Sequence, residues 1–328
     1  MVTTARPSDA EPELIRLMIK VARMYHERGV RQPEIATRLH ISQARVSRLL
    51  KRAGELNIVR TTVVTPPGVF ADLEEVVERR FSLREVVVAD TGDDVAEQSI
   101  LHSLGAAAAA YLETTLIGGD RIGISSWSST LLASVDAMRP KQTPVAEQVV
   151  QVLGGVGIGS SQAHATRLTG RLAELTGAAA IYLSAPGLVA SSALRKALAS
   201  DPSIKSVLSA YESLTMVLMG IGSLEPSPLL RASGNAMVEE DQAELLAAGA
   251  VGDVCLRFFN EFGEPIRTAL DERVIGISES TLRAIPRKIG VAGGARKYTA
   301  IRAALRGGWA NILVTDLATA RRLASDPG

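Results

Sequence analysis

The chain has 328 residues, 46% of them hydrophobic and only 4% aromatic, with a formal net charge of +1. That length is comfortable for two domains, and Ala, Val, Leu and Ile must build their cores. One cysteine, Cys255, excludes an internal disulfide framework and fits a reducing cytoplasm, while His26, His40, His102 and His164 lie too far apart for metal-ligand spacing.

The first ten residues are polar and lack the apolar core of a secretion signal. Leu14, Ile15, Leu17, Met18, Val21, Ala22 and Tyr25 then recur at helical spacing, and Gly29 ends that helix. Pro33 suits the first turn of a second helix, on which Ile35, Ala36 and Leu39 form one apolar face. Ser42 is a good N-cap for a third helix that buries Val46, Leu49 and Leu50. So short a connection makes the two helices cross sharply, with the small Ala36 near their closest approach, which is a helix-turn-helix. The third helix leaves Gln43, Ala44, Arg45, Ser47, Arg48, Lys51 and Arg52 outside the core. Glutamine and arginine suit base edges, whereas serine and lysine suit phosphates. With Gln32 and the cap Ser42, these are the candidate DNA-facing residues. Residues 16–60 carry eleven Lys/Arg against three acids, and residues 61–120 three against eleven. A basic head on an acidic neck predicts a polyanionic partner for the head. The run from Ile58 to Val64 predicts a β-wing. Thr65-Pro66-Pro67-Gly68 is a rigid break, so the expected domains are a winged helix-turn-helix over 1–65 and a larger domain over 66–328.

In the larger domain short β-rich runs alternate with helical stretches. Strands are expected at 85–89, 121–125, 148–153, 179–184, 214–221, 288–292 and 311–315, and helices at 95–117, 163–176, 239–248 and 295–306. The alternation predicts a Rossmann-like α/β fold, a mainly parallel sheet with helices on both faces. Residues 254–259, followed by Asn260-Glu261-Phe262-Gly263-Glu264, predict an inserted antiparallel hairpin. The charge-free stretch 175–194 is long enough to span a bilayer, but Gly177, Pro186 and Gly187 interrupt it, so it reads as strand, turn and helix start.

Ligands of such sheets bind beyond the carboxyl ends of the strands. One of those ends carries Ser126-Trp127-Ser128-Ser129-Thr130 before an apolar helix, and another carries Gly293-Gly294 with Lys297 in the next first turn. The first stretch is either an anion-holding helix start or a plain Ser/Thr cap; the second is either a close backbone approach to phosphate or a tight turn. A lysine in a first turn opposes the helix dipole, which favours a ligand for it. Gly154-Gly155, Ser184-Ala185-Pro186 and Gly220-Ile221-Gly222-Ser223 end other strands similarly, making Gly155 and Gly222 further candidates.

The motifs Gln32–Ala53, Gly123-Ile124-Ser125-Ser126-Trp127-Ser128-Ser129-Thr130-Leu131, Gly220-Ile221-Gly222-Ser223, Gly249-Ala250-Val251-Gly252-Asp253, and Val291-Ala292-Gly293-Gly294 through Lys297 with Asn311-Ile312-Leu313-Val314-Thr315-Asp316 resemble the SorC family of sugar-responsive bacterial transcriptional regulators over nearly the whole chain. The resemblance implies an effector domain like that of sugar-phosphate isomerases and glucosamine-phosphate deaminases with catalysis lost. It implies operator DNA and a phosphorylated sugar as partners, a homodimer or homotetramer, and no cofactor, metal or catalytic residue. By position it puts Ser128, Ser129 and Thr130 in a phosphate loop, Lys297 on the phosphate and Asp253 near the sugar hydroxyls. Ser128 stands where the family often has glycine. The expected protein is a cytoplasmic regulator of a carbohydrate operon with no membrane partner. The rival is an active isomerase or deaminase carrying a DNA-binding head, with Asp253 as its candidate base.

Overall fold

The computed structural model describes residues 12–60, 66, 68–92, 96–157, 160–225, 231 and 237–326. The chain forms two compact units, Met1–Pro66 and Pro67–Gly328.

In the first unit, α1 (Pro12–Ala22) runs on into one π turn over Arg23–Glu27, and Gly29 leaves it in the left-handed conformation at φ +65°. Two more helices follow, α2 (Gln32–Leu39) with Pro33 in its first turn and α3 (Gln43–Glu55). His40, also left-handed, ends α2, and the Arg45 N–H donates to Ser42 Oγ at 3.2 Å to cap α3. Met18, Val21, Ile35, Ala36, Val46 and Leu49 close a small core between the three. Ile58, Val59 and Arg60 form no strand. The N–H groups of Ile58 and Val59 return to Ala53 O at 2.9 and 3.1 Å, so they finish α3 instead of opening a wing. The rest of the expected wing, 61–64, lies outside the described residues.

The second unit begins with α4 (Ala71–Phe81), β1 (Glu85–Ala89), α5 (Glu97–Thr115), β2 (Asp120–Ile124), α6 (Ser129–Ala137) and β3 (Ala146–Gln151). Then come α7 (Ser160–Thr176), β4 (Ala179–Ile181), α8 (Ser192–Ser200), α9 (Pro202–Ala210), β5 (Met216–Gly220) and β6 (Gly222–Ser223). After α10 (Glu239–Ala247), β7 (Gly252–Val254) and β8 (Arg257–Phe259), the chain runs through α11 (Glu279–Ala284) into β9 (Arg287–Val291). It closes with α12 (Tyr298–Arg306), β10 (Ile312–Asp316) and α13 (Leu317–Ala324).

Seven strands make one all-parallel sheet in the order β1-β10-β9-β5-β2-β3-β4. Both faces are buried, which explains the near-continuous apolar strands. Alternate residues divide between them: Ile122, Ile124, Met216, Leu218, Ile289 and Val291 pack with α5, α6 and α7, whereas Val217, Met219 and Leu313 face the opposite helices. Among the described residues no helix is long and apolar enough to cross a membrane.

A second sheet, β6-β7-β8, is antiparallel and lies outside the main one in sequence pairing. The hairpin differs from expectation. Its turn is Cys255-Leu256, inside the run expected to be strand, and both residues are left-handed at φ +53° and +59°. Two consecutive left-handed residues make the tight turn that hairpins prefer, but glycine or asparagine normally signals it.

Candidate functional site

On the first unit, α3 exposes Gln43, Ala44, Arg45, Ser47, Arg48, Lys51 and Arg52, while Val46 and Leu49 anchor its other side. Arg52 pairs with Glu55 at 3.1 Å; Gln32 is half-buried at the start of α2. Arg45, Arg48, Lys51 and Arg52 therefore put four exposed cations on one helix.

On the second unit the sheet reverses direction at β2. From β2 the chain steps through β3 and β4 to one edge, then returns to lay β5 on the other side of β2 and continues to β9. The loops after β2 and β5 therefore diverge and open a crevice at the carboxyl ends of the strands, where ligands of such sheets bind. A cleft of about 90 Å³ lies there. Trp127, Ser128, Ser129, Thr130, Gly222, Asp253 and Lys297 all line it, joined by Leu153, Cys255, Leu256, Phe258, Glu225 and Arg296.

The wall after β2 is fixed by neighbours. Ser126 is buried; its hydroxyl donates to Leu153 O at 2.6 Å and accepts from Gln151 Nε2 at 2.8 Å, so it holds the wall and does not line the cleft. Trp127 Nε1 donates to Gly154 O at 3.2 Å, and the ring faces the cleft. Ser128 caps α6 by accepting the Leu131 N–H at 3.2 Å. Its φ of −130° suits any residue, so serine sits here without the strain a required glycine would imply. The first turn of α6 then offers the N–H groups of Ser129 and Thr130, which have no partner inside the helix, together with their hydroxyls.

The opposite wall is charged. Asp253 Oδ2 accepts the Leu256 N–H at 3.0 Å, and Oδ1 lies so near Gly222 that a Cβ there would meet it at 2.0 Å. Burial pushes the Asp253 carboxyl up to about 6, with the Leu256 N–H and the Lys297 ammonium pulling the other way. Burial lowers Lys297 from the ordinary lysine range; Asp253 and Glu97 oppose that and Arg296 reinforces it. Burial first, then Asp253, pushes the Cys255 thiol up to about 12, so it is an unreactive thiol. Arg296 reaches Glu97 at 3.4 Å and Glu225 at 3.3 Å on the exposed rim, where such pairs contribute little.

Three of the expected glycines stand apart from the cleft. Gly155 packs on Gln151, whose Nε2 a Cβ would meet at 1.9 Å. Gly293 and Gly294 pack on Asp316, and the Gly294 N–H donates to Asp316 Oδ2 at 2.7 Å instead of facing the cleft. Lys297 ends the 3-10 turn Ala295–Lys297 that leads into α12. Sequence reasoning passed over Arg296, although it adjoins Lys297, and over Cys255 and Leu256, because no turn residue marks their hairpin. His164 is half-buried on α7 and does not line the cleft. Among the described residues no group of three His, Cys, Asp or Glu side chains is set to hold a metal.

Residues 66–325 match the domain family described as “Putative sugar-binding domain”. The full-length sorbitol operon regulator SorC of Klebsiella pneumoniae superimposes with a TM-score of 0.72 at 30% identity, over 97% of this chain and 100% of that one. The chain belongs to the SorC family. It is a DNA-binding transcriptional regulator, with the helix-turn-helix in its first unit and the family's sugar-binding domain in its second. The deoxyribonucleoside regulator of Bacillus subtilis (strain 168) is 33% identical to it over 316 residues, 95% of this chain and 98% of that relative.

Proposed function

We propose that this regulator reads a two-fold symmetric operator through α3 and responds to a small phosphorylated sugar held in the cleft, without chemistry on it. The observation that carries the reading is the meeting of three groups in one cleft: the first turn of α6, Lys297 and Asp253. The α6 N-terminus and Lys297 receive the phosphate, since both present positive charge in a partly desolvated place. Asp253 accepts hydroxyls from the sugar, and Trp127, Leu153 and Phe258 cover its apolar face. The relatives, one a sorbitol operon regulator and the other a deoxyribonucleoside regulator, support a carbohydrate or nucleoside operon as the target. A cytoplasmic protein follows from that role.

Calorimetry tests the reading with wild type and Lys297→Ala, each against phosphorylated and unphosphorylated forms of deoxyribose, ribose, glucose and sorbitol. Losing a charge-assisted contact costs about 1.5–3 kcal/mol, roughly tenfold to more than a hundredfold in affinity. The variant loses that affinity for the phosphorylated form alone. Equal binding by both proteins would remove Lys297 as the phosphate anchor.

One observation favours the rival enzyme: an Asp253 carboxyl pushed up to about 6 has a base strength suited to neutral pH. Incubation with ribose 5-phosphate and glucose 6-phosphate decides between them, because an isomerase interconverts aldose and ketose forms and a sensor returns them unchanged.

A further inference from the structure

We infer that Asp316 is a positioning residue for the cleft, clamping the Gly293-Gly294 turn from behind and thereby fixing where Lys297 stands. The inference rests on the reading of Lys297 as the phosphate contact. Asp316 is 1% exposed, and its carboxylate is satisfied from two directions. Toward α13 it accepts the Thr319 N–H on Oδ1 at 2.9 Å and the Thr319 hydroxyl on Oδ2 at 2.6 Å. Toward the cleft loop, Oδ2 accepts the Gly294 N–H at 2.7 Å. A carboxylate so deeply buried is tolerated only when its oxygens are hydrogen-bonded, which makes each of these donors costly to remove.

The two glycines answer to this carboxylate. A Cβ on Gly293 would lie 2.3 Å from Asp316 Oδ2, so any larger residue there displaces the clamp. Gly294 has φ +90° and ψ 146°, a region that is essentially glycine's alone. From it the chain turns directly, the Lys297 N–H donating to Gly294 O at 3.0 Å. The path from buried carboxylate to cleft lysine is thus one hydrogen bond, one glycine and one closed turn. The anion at the glycine pair is the protein's own, and Lys297 shares the charged wall of the cleft with Asp253. The lowered basicity of Lys297 fits a side chain held in that confined place.

A helix cap alone would give Asp316 a role too, and the variants separate the two. Asp316→Ser keeps a good N-cap for α13, since serine accepts the Thr319 N–H well, but is too short to reach Gly294. Gly293→Ala leaves the cap residue intact and pushes the carboxylate off Gly294. Trace acetylation with acetic anhydride across a pH series, read by mass spectrometry of the Lys297 peptide against exposed Lys205, reports the lysine's surroundings in the full chain. Thermal unfolding checks that each variant folds. In wild type Lys297 reacts at lower pH than Lys205. In both variants it moves toward Lys205, and affinity for deoxyribose 5-phosphate, ribose 5-phosphate, glucose 6-phosphate and sorbitol 6-phosphate falls about tenfold or more for whichever of them binds. An unchanged Lys297 profile in the two folded variants overturns the clamp. A shifted profile with no binding of any of the four sugars by wild type keeps the clamp and sinks the effector reading instead.

Discussion

Asp253 is where a single buried group should give the cleft a pH response. Its folded carboxyl is pushed up to about 6 by burial, above the value near 3.9 of an unfolded chain. Between those values the folded state binds the extra proton, so this residue's contribution to stability falls as pH rises through about 6. Thermal unfolding of Asp253→Asn should therefore show a flatter profile between pH 4 and 7 than wild type. On the proposed reading effector affinity should run the other way, because sugar hydroxyls would donate to the ionised carboxylate. Binding should weaken as pH drops below about 6, and Asp253→Asn should bind weakly with only the effector's own phosphate titration left, since that also lies near 6. A wild-type affinity flat from pH 5 to 8 would remove the ionised carboxylate from the site. At this scale the sequence was partly legible. The lysine after the glycine pair betrays itself, since a cation in a first turn opposes the helix dipole. The glycine pair misleads, because glycine beside a buried carboxylate and glycine beside a ligand phosphate look alike in sequence.

Elements were legible where local chemistry and packing agree. Ser42 caps α3 as its residue type predicts, and the apolar spacing of Val46 and Leu49 fixes which side of the helix faces out. Ser42→Ala should cost about 1 kcal/mol of stability, measurable by chemical denaturation of the full chain. Arg45→Ala and Arg48→Ala should each cost about 1–3 kcal/mol in operator affinity and relax the choice of base. A selected operator bound equally well by both variants would mean that α3 does not read it. The hairpin was illegible for the opposite reason. Cys255 and Leu256 take left-handed conformations that neither prefers, held by burial of both side chains and by the local hydrogen bond from the Leu256 N–H to Asp253. The missing start of a wing is similar, since the β-branched Ile58 and Val59 suggest a strand until their N–H groups are needed to finish α3.

For the whole molecule the uneven charge is the feature that the fold organises. The alternation of strand and helix foretold a parallel sheet, but strand order, and with it the reversal at β2 that opens the cleft, depends on contacts between distant segments such as β2 and β5. Charge is simpler, because the basic excess of residues 16–60 lies on one unit and four of its cations on one helix. One helix-turn-helix covers a half-site, and useful specificity comes from paired copies on symmetric half-sites. We expect a homodimer or homotetramer on DNA, and salt dependence can count the copies. Each phosphate neutralised contributes about −0.9 to the slope of log affinity against log salt. Lys51 is exposed near the end of α3, where a side chain reaches backbone better than bases. Lys51→Ala should weaken binding to all sequences alike and reduce the slope by about 0.9 for each bound copy, hence roughly twice that for a dimer on two half-sites. Fluorescence anisotropy on a selected operator at several salt concentrations, with light scattering on the same samples, measures both quantities. A slope change of only about 0.9 together with a concentration-independent monomer would contradict paired binding. No change in slope at all would take Lys51 off the DNA backbone.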